Sequence, residues 1–349
     1  MLKIGPVELD FPVVQAALSG YSDAPMRLIA RRHGAPYALH EVVLDKLVVQ
    51  SGKLRRRILS VAPEDHPIGG QLMGSEPQQF AAAADQMVQA GFDVIDINFG
   101  CPVRKVLGRC RGGYLLSQPQ QALAIVRAVV SAVGGRVPVT VKLRRGFDDS
   151  AESERNFFAI LDGAFELGVA AVTVHGRTVR QRYVGPADWG FLRRVKRHAG
   201  ARVVLGSGDL FTPADIQRML AETGVDGASV ARGCIGNPWI FSQTKAVLAG
   251  RPLPEPPGVA EQGRVIREHF ELAVAHYGEK LAARLMRKFG IKYSELHPHE
   301  QQVRDAFIQT RNAADFYAVL DRWYDPRRAW PPGRHKSGPG DLVAAGARL

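Results

Sequence analysis

The chain has 349 residues, 46% of them hydrophobic, which is typical of a globular protein with a sizeable buried core. Lysine and arginine exceed aspartate and glutamate by 46 to 34, and the resulting formal charge of +12 favours polyanionic partners such as nucleic acid or an anionic membrane surface. The three cysteines form no CxxC pair, which argues against a disulfide framework or a structural zinc site. We therefore expect no bound metal, no signal peptide, no membrane association and a cytoplasmic location.

Short β-rich runs alternate with helical patterns along residues 1–249. The predicted strands are Phe11–Leu18, Tyr37–Val43, Pro67–Met73, Phe92–Asn98, Pro138–Leu143, Val169–His175, Arg202–Gly206 and Val225–Ala231. The predicted helices between them include Pro77–Ala90, Pro119–Val133, Glu154–Leu167 and Pro213–Thr223. This repeated alternation predicts an α/β fold, specifically a TIM (β/α)8 barrel with a parallel closed sheet.

The composition changes after the barrel. Residues 250–258 (GRPLPEPPG) are predicted to be a proline-rich linker, because proline fixes φ and removes a backbone donor. Over residues 259–325 apolar side chains recur with helical spacing, which predicts a small C-terminal bundle of about four helices. Residues 326–349 are rich in proline, glycine and basic side chains and are predicted to be a disordered tail.

The most informative stretch is Asp93–Pro102 (DVIDINFGCP). A buried, β-branched strand ends near Phe99, and an amide, Asn98, and a thiol, Cys101, come at or just beyond its end. Such a pair at the C-terminal end of a barrel strand suits a site that holds a polar planar ring and gives it a proton. A free cysteine that only packs in the core is the alternative.

Other polar residues are predicted at the same ends of neighbouring strands, where barrel enzymes build their sites: Gln71, Lys142, Arg144, His175 and Arg177. Lys142 lies in an apolar strand, and lysine is almost never buried without a partner. It either points to solvent or lies as a cation beside a flavin ring. His175 is either a hydrogen-bonded core histidine or a further ring contact.

Two glycine-containing turns follow the last two predicted strands, at Gly206–Asp209 (GSGD) and Ala231–Gly233 (ARG). Glycines let backbone amides approach an anion closely, and the loops after strands 7 and 8 form the usual phosphate site of this fold. The sequence therefore favours a phosphate-bearing cofactor over a bare substrate.

The chain resembles the bacterial dihydrouridine synthase family, and most closely its B-type branch. The matching segments are residues 17–27 (ALSGYSDAPMR), 96–102 (DINFGCP), 105–106 (KV), 141–144 (VKLR), 174–178 (VHGRT), 183–189 (YVGPADW), 206–209 (GSGD) and 236–239 (GNPW). Met286–Lys288 and Tyr293 extend the resemblance past the barrel.

The resemblance implies an FMN enzyme that reduces the C5=C6 bond of uridine in tRNA, with NADPH as reductant and other structured RNA as an alternative substrate. Reduced FMN would give hydride to C6, and Cys101 would protonate C5 from the opposite face, since a thiol of ordinary pKa is protonated at neutral pH. Asn98 would hold the edge of the base, and Arg144 and Arg177 would lie over the base or the flavin. The implied FMN contacts are Ala17, Leu18, Gln71, Lys142, His175, Ser207, Gly208, Asp209, Ala231, Arg232 and Gly233.

The chain departs from the family pattern at three places in the barrel, and in the bundle helix residues 287–290 (RKFG) stand where an Arg-Lys-His run is commoner. Leu18 stands where methionine is usual, and Ser207 stands where asparagine is usual, so a contact to the ribityl chain or the phosphate is expected to be lost at Ser207. The loop at residues 110–113 (CRGG) also differs. No GxGxxG motif follows a strand, so NADPH and RNA would use the flavin face in turn.

Basic residues cluster outside the predicted barrel site. Arg284, Arg287, Lys288 and Lys292 fall on one face of a predicted helix, and we expect residues 259–325 to bind RNA phosphates through them. A merely solvated helix face is the alternative. A uridine in a tRNA loop would have to be splayed out of its stack to reach the flavin. Nothing indicates an obligatory protein partner.

Two other functions remain open at this point. One is a flavin barrel that acts on a free pyrimidine or another small enone, although that leaves the basic bundle without a purpose. The other is an RNA-binding protein whose barrel has lost catalysis, since fold alone does not determine function.

Overall fold

The computed structural model describes residues 1–338, which divide into two compact units. The barrel unit comprises Met1–Gly20, Pro36–Asp209 and Arg218–Val230. The helical unit comprises Tyr21–Ala35, Leu210–Gln217 and the described residues from Ala231 onward.

The strands all belong to the barrel unit. They are β1 (Leu2–Ile4), β2 (Val7–Leu9), β3 (Val13–Gln15), β4 (Ala38–Leu39), β5 (Val43–Leu44), β6 (Ile68–Met73), β7 (Val94–Phe99), β8 (Val139–Arg144), β9 (Ala171–His175), β10 (Val203–Ser207) and β11 (Gly227–Val230). Parallel pairing runs β4-β3-β11-β10-β9-β8-β7-β6, and β4 also pairs with β6, which closes the ring. The predicted TIM barrel is therefore confirmed.

The barrel strands are buried because helices cover a parallel sheet on its outer face. All six residues of β6 and all six of β7 are buried. The strand limits differ most from the prediction in two places: β3 is only three residues long, and the predicted second strand is interrupted between β4 and β5. The limits of the other predicted strands shift by one or two residues.

The antiparallel hairpin β1–β2 was not predicted from the sequence. Leu2, Ile4 and Leu9 are buried in one cluster with Val94 and Ala171, the first residues of β7 and β9. The hairpin therefore packs at the N-terminal ends of the strands and leaves the C-terminal ends for the site.

Helices connect the strands and continue beyond them. They are α1 (Ala24–Arg32), α2 (Asp45–Val49), α3 (Lys53–Ile58), α4 (Pro77–Gln89), α5 (Arg104–Leu107), α6 (Pro119–Val133), α7 (Ala151–Glu166), α8 (Trp189–Ala199), α9 (Pro213–Thr223), α10 (Ile240–Leu248), α11 (Val259–Tyr277), α12 (Glu279–Tyr293), α13 (Glu300–Gln309) and α14 (Ala313–Trp323). The predicted limits of α6 and α9 are confirmed. In α4, α6 and α9 proline is the first helical residue, where its missing N–H leaves no hydrogen bond unmade.

The helical unit contains the predicted bundle, α11 to α14, whose core includes Phe270 stacked on Phe316 with ring centroids 4.3 Å apart. The unit also includes α1, because α1 packs against α11 and Arg32 forms an ion pair with Glu268 at 2.5 Å. The helical unit therefore takes in chain that we assigned to a barrel ending at residue 249.

Residues 326–338, which we call the strap, have no helix or strand but make specific contacts, unlike the disordered tail predicted for them. Trp330 donates from Nε1 to the Asp325 carbonyl (2.9 Å), and its ring lies 5.2 Å from that of His297. Arg334 pairs with Glu300 at 2.7 Å. Composition alone does not reveal these long-range contacts. The rest of the predicted tail, residues 339–349, lies outside the described residues.

Candidate active site

The turn after β7 is shaped by the side chain of Asn98. Its Oδ1 accepts hydrogen bonds from the N–H groups of Gly100 (2.9 Å) and Cys101 (3.1 Å), and its Nδ2 donates to Gln71 Oε1 (2.6 Å). Asn98 is buried, and one Nδ2 hydrogen remains for another acceptor. Its predicted contact with the base stays a prediction, and the same side chain positions the thiol.

Cys101 is half-buried against a loop that needs glycine. A Cβ on Gly112, where φ is +56°, would lie 2.8 Å from the Cys101 Cβ, and Gly113 N–H donates to the Cys101 carbonyl at 3.0 Å. Glycine adopts this left-handed conformation without steric penalty. The CRGG departure noted in the sequence therefore includes a glycine that leaves space beside the Cβ of Cys101.

The Cys101 thiol is held in its protonated form. Partial burial raises its pKa, while a hydrogen bond involving the Val103 backbone and the charge of Arg144 act to lower it. Because the net direction is upward from an ordinary value near 8.5, the sulfur carries a proton at neutral pH. The group present is an acid that can donate a proton.

A polar network fixes the amide of Gln71 inside the barrel. Gln71 Nε2 donates to Asp96 Oδ2 (2.7 Å), and Thr140 Oγ1 donates to Asp96 Oδ1 (2.5 Å). Burial raises the pKa of Asp96, while these two hydrogen bonds and Lys142 lower it. Asp96 was not among the predicted site residues, although a carboxylate two positions before Asn98 in a buried strand was a visible signal.

Lys142 lies beside Asn98 in the register of β7 and β8. Burial lowers its pKa to about 8, with Asp96 acting to raise it and Arg144 to lower it. Within residues 1–338 its ammonium makes no hydrogen bond or ion pair. A partly buried cation without a direct partner is expected to bind an anionic or electron-rich group.

His175, the last residue of β9, accepts a hydrogen bond at Nδ1 from the Arg177 N–H (3.1 Å). In the neutral ring Nε2 therefore carries the proton and is a donor. Gly208 packs nearby with φ at +120°, and a Cβ there would lie 2.6 Å from the Ala187 Cβ and 3.4 Å from His175 Cε1. Only glycine leaves the required space at this position.

Arg177 is 3% exposed, and its hydrogen bonds connect two loops. Its Nη2 lies 2.7 Å from both carboxylate oxygens of Asp209, and its Nε donates to the Gly185 carbonyl at 2.8 Å. Asp209 also accepts from the Ala187 N–H at 2.7 Å. Arg177 Nη1 has no partner within the described chain and is the nitrogen left for the predicted ligand contact, which stays a prediction.

We expect Arg177→Met to lower the free energy of unfolding by about 3 kcal/mol, because it leaves the Asp209 carboxylate partly buried without its counter-charge. Arg180→Met is the matched control, since Arg180 pairs with Asp148 at 3.6 Å and is 71% exposed. The control should change stability by less than about 1 kcal/mol. Chemical denaturation of both variants measures the difference. Equal losses in the free energy of unfolding would contradict the role of Arg177 in connecting the two loops.

Arg144 likewise connects two loops through hydrogen bonds. Its Nε donates to the Gly100 carbonyl (2.8 Å), and its Nη1 donates to the carbonyls of Thr178 (2.9 Å) and Arg182 (2.7 Å). Its guanidinium carbon lies 5.5 Å from the Tyr183 ring centroid. Arg144 thus links the loop of the thiol to the loop after β9, and its predicted contact with the base stays a prediction.

The strands at the other side of the barrel carry unpaired polar atoms. Ser207 donates to the Ser229 carbonyl at 3.1 Å, whereas Ser229 Oγ and both amide ends of Gln15 are buried without a partner among the described residues. Sequence reasoning missed Gln15, the last residue of β3. Ala17 and Leu18, which follow it, are half-buried.

The remaining predicted residues belong to the helical unit. Ala231 precedes a short 3-10 turn, Arg232–Cys234, in which the Arg232 guanidinium carbon lies 5.0 Å from the Phe211 ring centroid. On α12, Arg284 and Arg287 are exposed, while the Lys288 Nζ lies 4.7 Å from the Tyr21 ring centroid. Lys292 instead pairs with Glu295 at 2.9 Å.

Two other kinds of site are absent from residues 1–338. Residues 1–338 contain no cluster of three or more histidine, cysteine, aspartate or glutamate side chains that could hold a metal ion. No helix in that same part of the chain has the length and hydropathy to cross a bilayer.

The fold and site together define a (β/α)8 barrel with a half-buried, protonated thiol at the C-terminal ends of its strands. The sequence profile described as "Dihydrouridine synthase (Dus)" matches residues 14–325. The chain belongs to the dihydrouridine synthase family, a family of oxidoreductases.

Curated relatives agree with this assignment. A "Probable tRNA-dihydrouridine synthase" of Mycobacterium tuberculosis (strain CDC 1551 / Oshkosh) is 35% identical over 92% of this chain and 84% of its own length. The "tRNA-dihydrouridine synthase B" of Xanthomonas axonopodis pv. citri is 34% identical over 93% of this chain and 95% of its own.

Solved structures show the same barrel in more distant proteins. Morphinone reductase aligns with a TM-score of 0.53 at 15% identity, over 73% of this chain and 90% of its own. The old yellow enzyme homologue from Zymomonas mobilis aligns with a TM-score of 0.53 at 16% identity, over 73% and 93%. At this identity the likeness concerns the fold.

Proposed function

We propose that this protein is an FMN-dependent tRNA-dihydrouridine synthase that reduces the C5=C6 bond of uridine with electrons from NADPH. The observation that carries the proposal is the protonated Cys101 thiol on a turn fixed by Asn98, because Asn98 is paired across β7 and β8 with the unpaired cation Lys142. The names of the curated relatives support tRNA as the substrate. A cytoplasmic location is part of the same proposal.

The barrel unit has features that fit FMN. The Lys142 ammonium suits the electron-rich edge of the flavin ring, and the His175 Nε2–H suits one of its acceptors. The bare backbone of Gly208 permits close approach of a ligand, and the buried amide of Gln15 lacks partners that a ligand or an ordered water would supply.

The residues that would hold FMN in the barrel unit are Ala17, Leu18, Gln71, Lys142, His175, Ser207, Gly208 and Asp209. In the helical unit Ala231, Arg232 and Gly233 would contribute to the phosphate, chiefly through backbone N–H groups. The loss of a contact predicted at Ser207 stays part of the proposal, since its hydroxyl already bonds to the Ser229 carbonyl.

The chain's own groups would then supply the proton. When bound, FMN would deliver the hydride that it received from NADPH to C6 of uridine. Cys101 Sγ would give its proton to C5, and hydride plus proton saturate the double bond. Arg144, which binds the Gly100 carbonyl, would stabilise the resulting thiolate until solvent reprotonates it.

The helical unit would bind the RNA. Arg284 and Arg287 are exposed on α12 and can contact phosphates, and Lys288 lies on the same face. Lys292 is bound to Glu295 and is less suited to that task.

The purified protein tests the proposal directly. We expect a yellow protein that releases FMN on denaturation and forms dihydrouridine in tRNA from a strain lacking the gene, when NADPH is supplied. Mass spectrometry of the RNA gives the readout. Reduction of free uracil with tRNA untouched would indicate a small-molecule enzyme, and a colourless protein that binds RNA but no flavin would indicate a non-catalytic one.

A further inference from the structure

The strap reaches the turn predicted to bind the FMN phosphate, and the contact is made by one lysine. Lys336 Nζ donates to the carbonyl oxygens of Ile235 (2.7 Å) and Arg232 (3.3 Å), which belong to the 3-10 turn after β11 and the residue that ends it. All of these residues belong to the helical unit.

The Lys336 ammonium is held there by a buried ion pair. Its Nζ lies 3.1 Å from Glu295 Oε2, and the side chains of Lys336 and Glu295 are 7% and 13% exposed. Lys292 pairs with the other Glu295 oxygen at 2.9 Å. Two cations therefore share one carboxylate, which leaves Lys336 with hydrogens for the carbonyl groups of the turn.

The rest of the strap fixes the position of Lys336. Arg334 N–H donates to the Leu296 carbonyl (2.9 Å), and the Arg334 guanidinium pairs with Glu300. A Cβ on Gly333 would lie 2.2 Å from the Pro257 carbonyl oxygen, so the strap passes this point in close contact with the linker. These anchors restrict the strap independently of Lys336.

The turn itself has little freedom in this arrangement. A Cβ on Gly233 would lie 2.2 Å from the Leu210 carbonyl oxygen, and the Cys234 Sγ lies 3.0 Å from the Ala231 carbonyl. A trans peptide group is planar, with its oxygen and its N–H on opposite sides. A cation bound to the Arg232 carbonyl therefore also fixes the direction of the Gly233 N–H.

We propose that Lys336 is a positioning residue for cofactor binding: through the carbonyls of Arg232 and Ile235 it holds the turn in the conformation that receives the FMN phosphate. This inference rests on the proposed function. It gives the strap, which carries no secondary structure, a role in selecting a phosphorylated flavin.

Comparing FMN with riboflavin, which lacks the phosphate, tests the inference. We expect Lys336→Met to weaken FMN binding by about 10-fold, in line with the loss of a charged hydrogen bond, and to leave riboflavin binding unchanged. Arg334→Met is the matched control, because Arg334 anchors the same strap without reaching the turn, and it should preserve the preference for FMN. Lys336→Arg should restore most of it.

A double variant separates positioning from a general loss of stability. Lys336→Met alone leaves Glu295 with one counter-charge, whereas Lys336→Met combined with Glu295→Gln removes the carboxylate charge as well. If Lys336 acts through the turn, both variants should lose the preference for FMN over riboflavin to the same extent. Recovery of the preference in the double variant, or an unchanged preference in the single variant, would overturn the role of Lys336. A wild-type protein that binds neither flavin would instead overturn the proposed function.

Discussion

Cys101→Ala is expected to slow uridine reduction by about 100- to 10,000-fold, the usual contribution of a positioned general acid, while flavin binding persists. The thiol is half-buried, and its pKa is raised, so the protonated form predominates at neutral pH. Single-turnover reduction of tRNA measures the rate, and flavin absorbance measures cofactor retention.

Cys110→Ala is the matched control for that experiment. Cys110 is exposed and lies in the same loop, so its removal should leave the rate unchanged. A Cys101 variant as fast as the wild type would remove the proton-donor assignment, and an equal loss in both variants would point to the loop rather than the thiol.

The pH dependence gives a second signature of the same group. A thiol with a raised pKa is protonated below that pKa and loses its proton as the pH rises through it. Activity should therefore fall only on the alkaline side. Cys101→Ser keeps a proton to higher pH. Its rate should be lower than that of the wild type, and its alkaline decline should disappear.

Lys142→Met is expected to weaken FMN binding and to slow turnover by about 10-fold or more, since a desolvated charge interaction is lost. Lys142→Arg is the control, because it keeps a cation at every accessible pH. Flavin titration and steady-state rates with NADPH measure the two effects. Identical behaviour of the methionine and arginine variants would show that the charge is not used.

Lys142→Met is also expected to change the stability of the flavin-free protein, in the direction opposite to its effect on FMN binding. Burial lowers the pKa of Lys142 from 10.5 to about 8, so in the free protein the charged form is the less favourable one when folded. The unfolded chain binds more protons between about pH 8 and 10.5, and wild-type stability relative to Lys142→Met should therefore rise with pH across that window. Denaturation of the flavin-free proteins at several pH values measures it, and a decrease would contradict the burial argument.

Much of the barrel could be predicted because its signals are local. Parallel strands covered on both faces form short, nearly continuous apolar runs, and proline marks the first residue of α4, α6 and α9. Since barrel sites form at the C-terminal ends of strands, the same runs indicated where Cys101, Lys142 and His175 would lie. Whether each of these side chains contacts a ligand stays a prediction.

The roles of the buried arginines could not be predicted in this way. Arg144 and Arg177 were expected to face a ligand, but a buried guanidinium needs several acceptors, and theirs come from residues up to 44 positions away. The network that fixes Gln71 depends likewise on Asp96 and on Thr140, 44 residues further along the chain. Sequence spacing does not encode such partners.

The sequence by itself determined the alternation of strands and helices, the family and the positions of the thiol and the amide, because periodicity, turn residues and short motifs are read over a few neighbours. Only the tertiary structure decided which charges are neutralised inside the molecule and that the strap is held by Lys336 and Glu295. Burial makes an ion pair or hydrogen bond necessary, and the partner is selected by the three-dimensional approach of segments far apart in the chain.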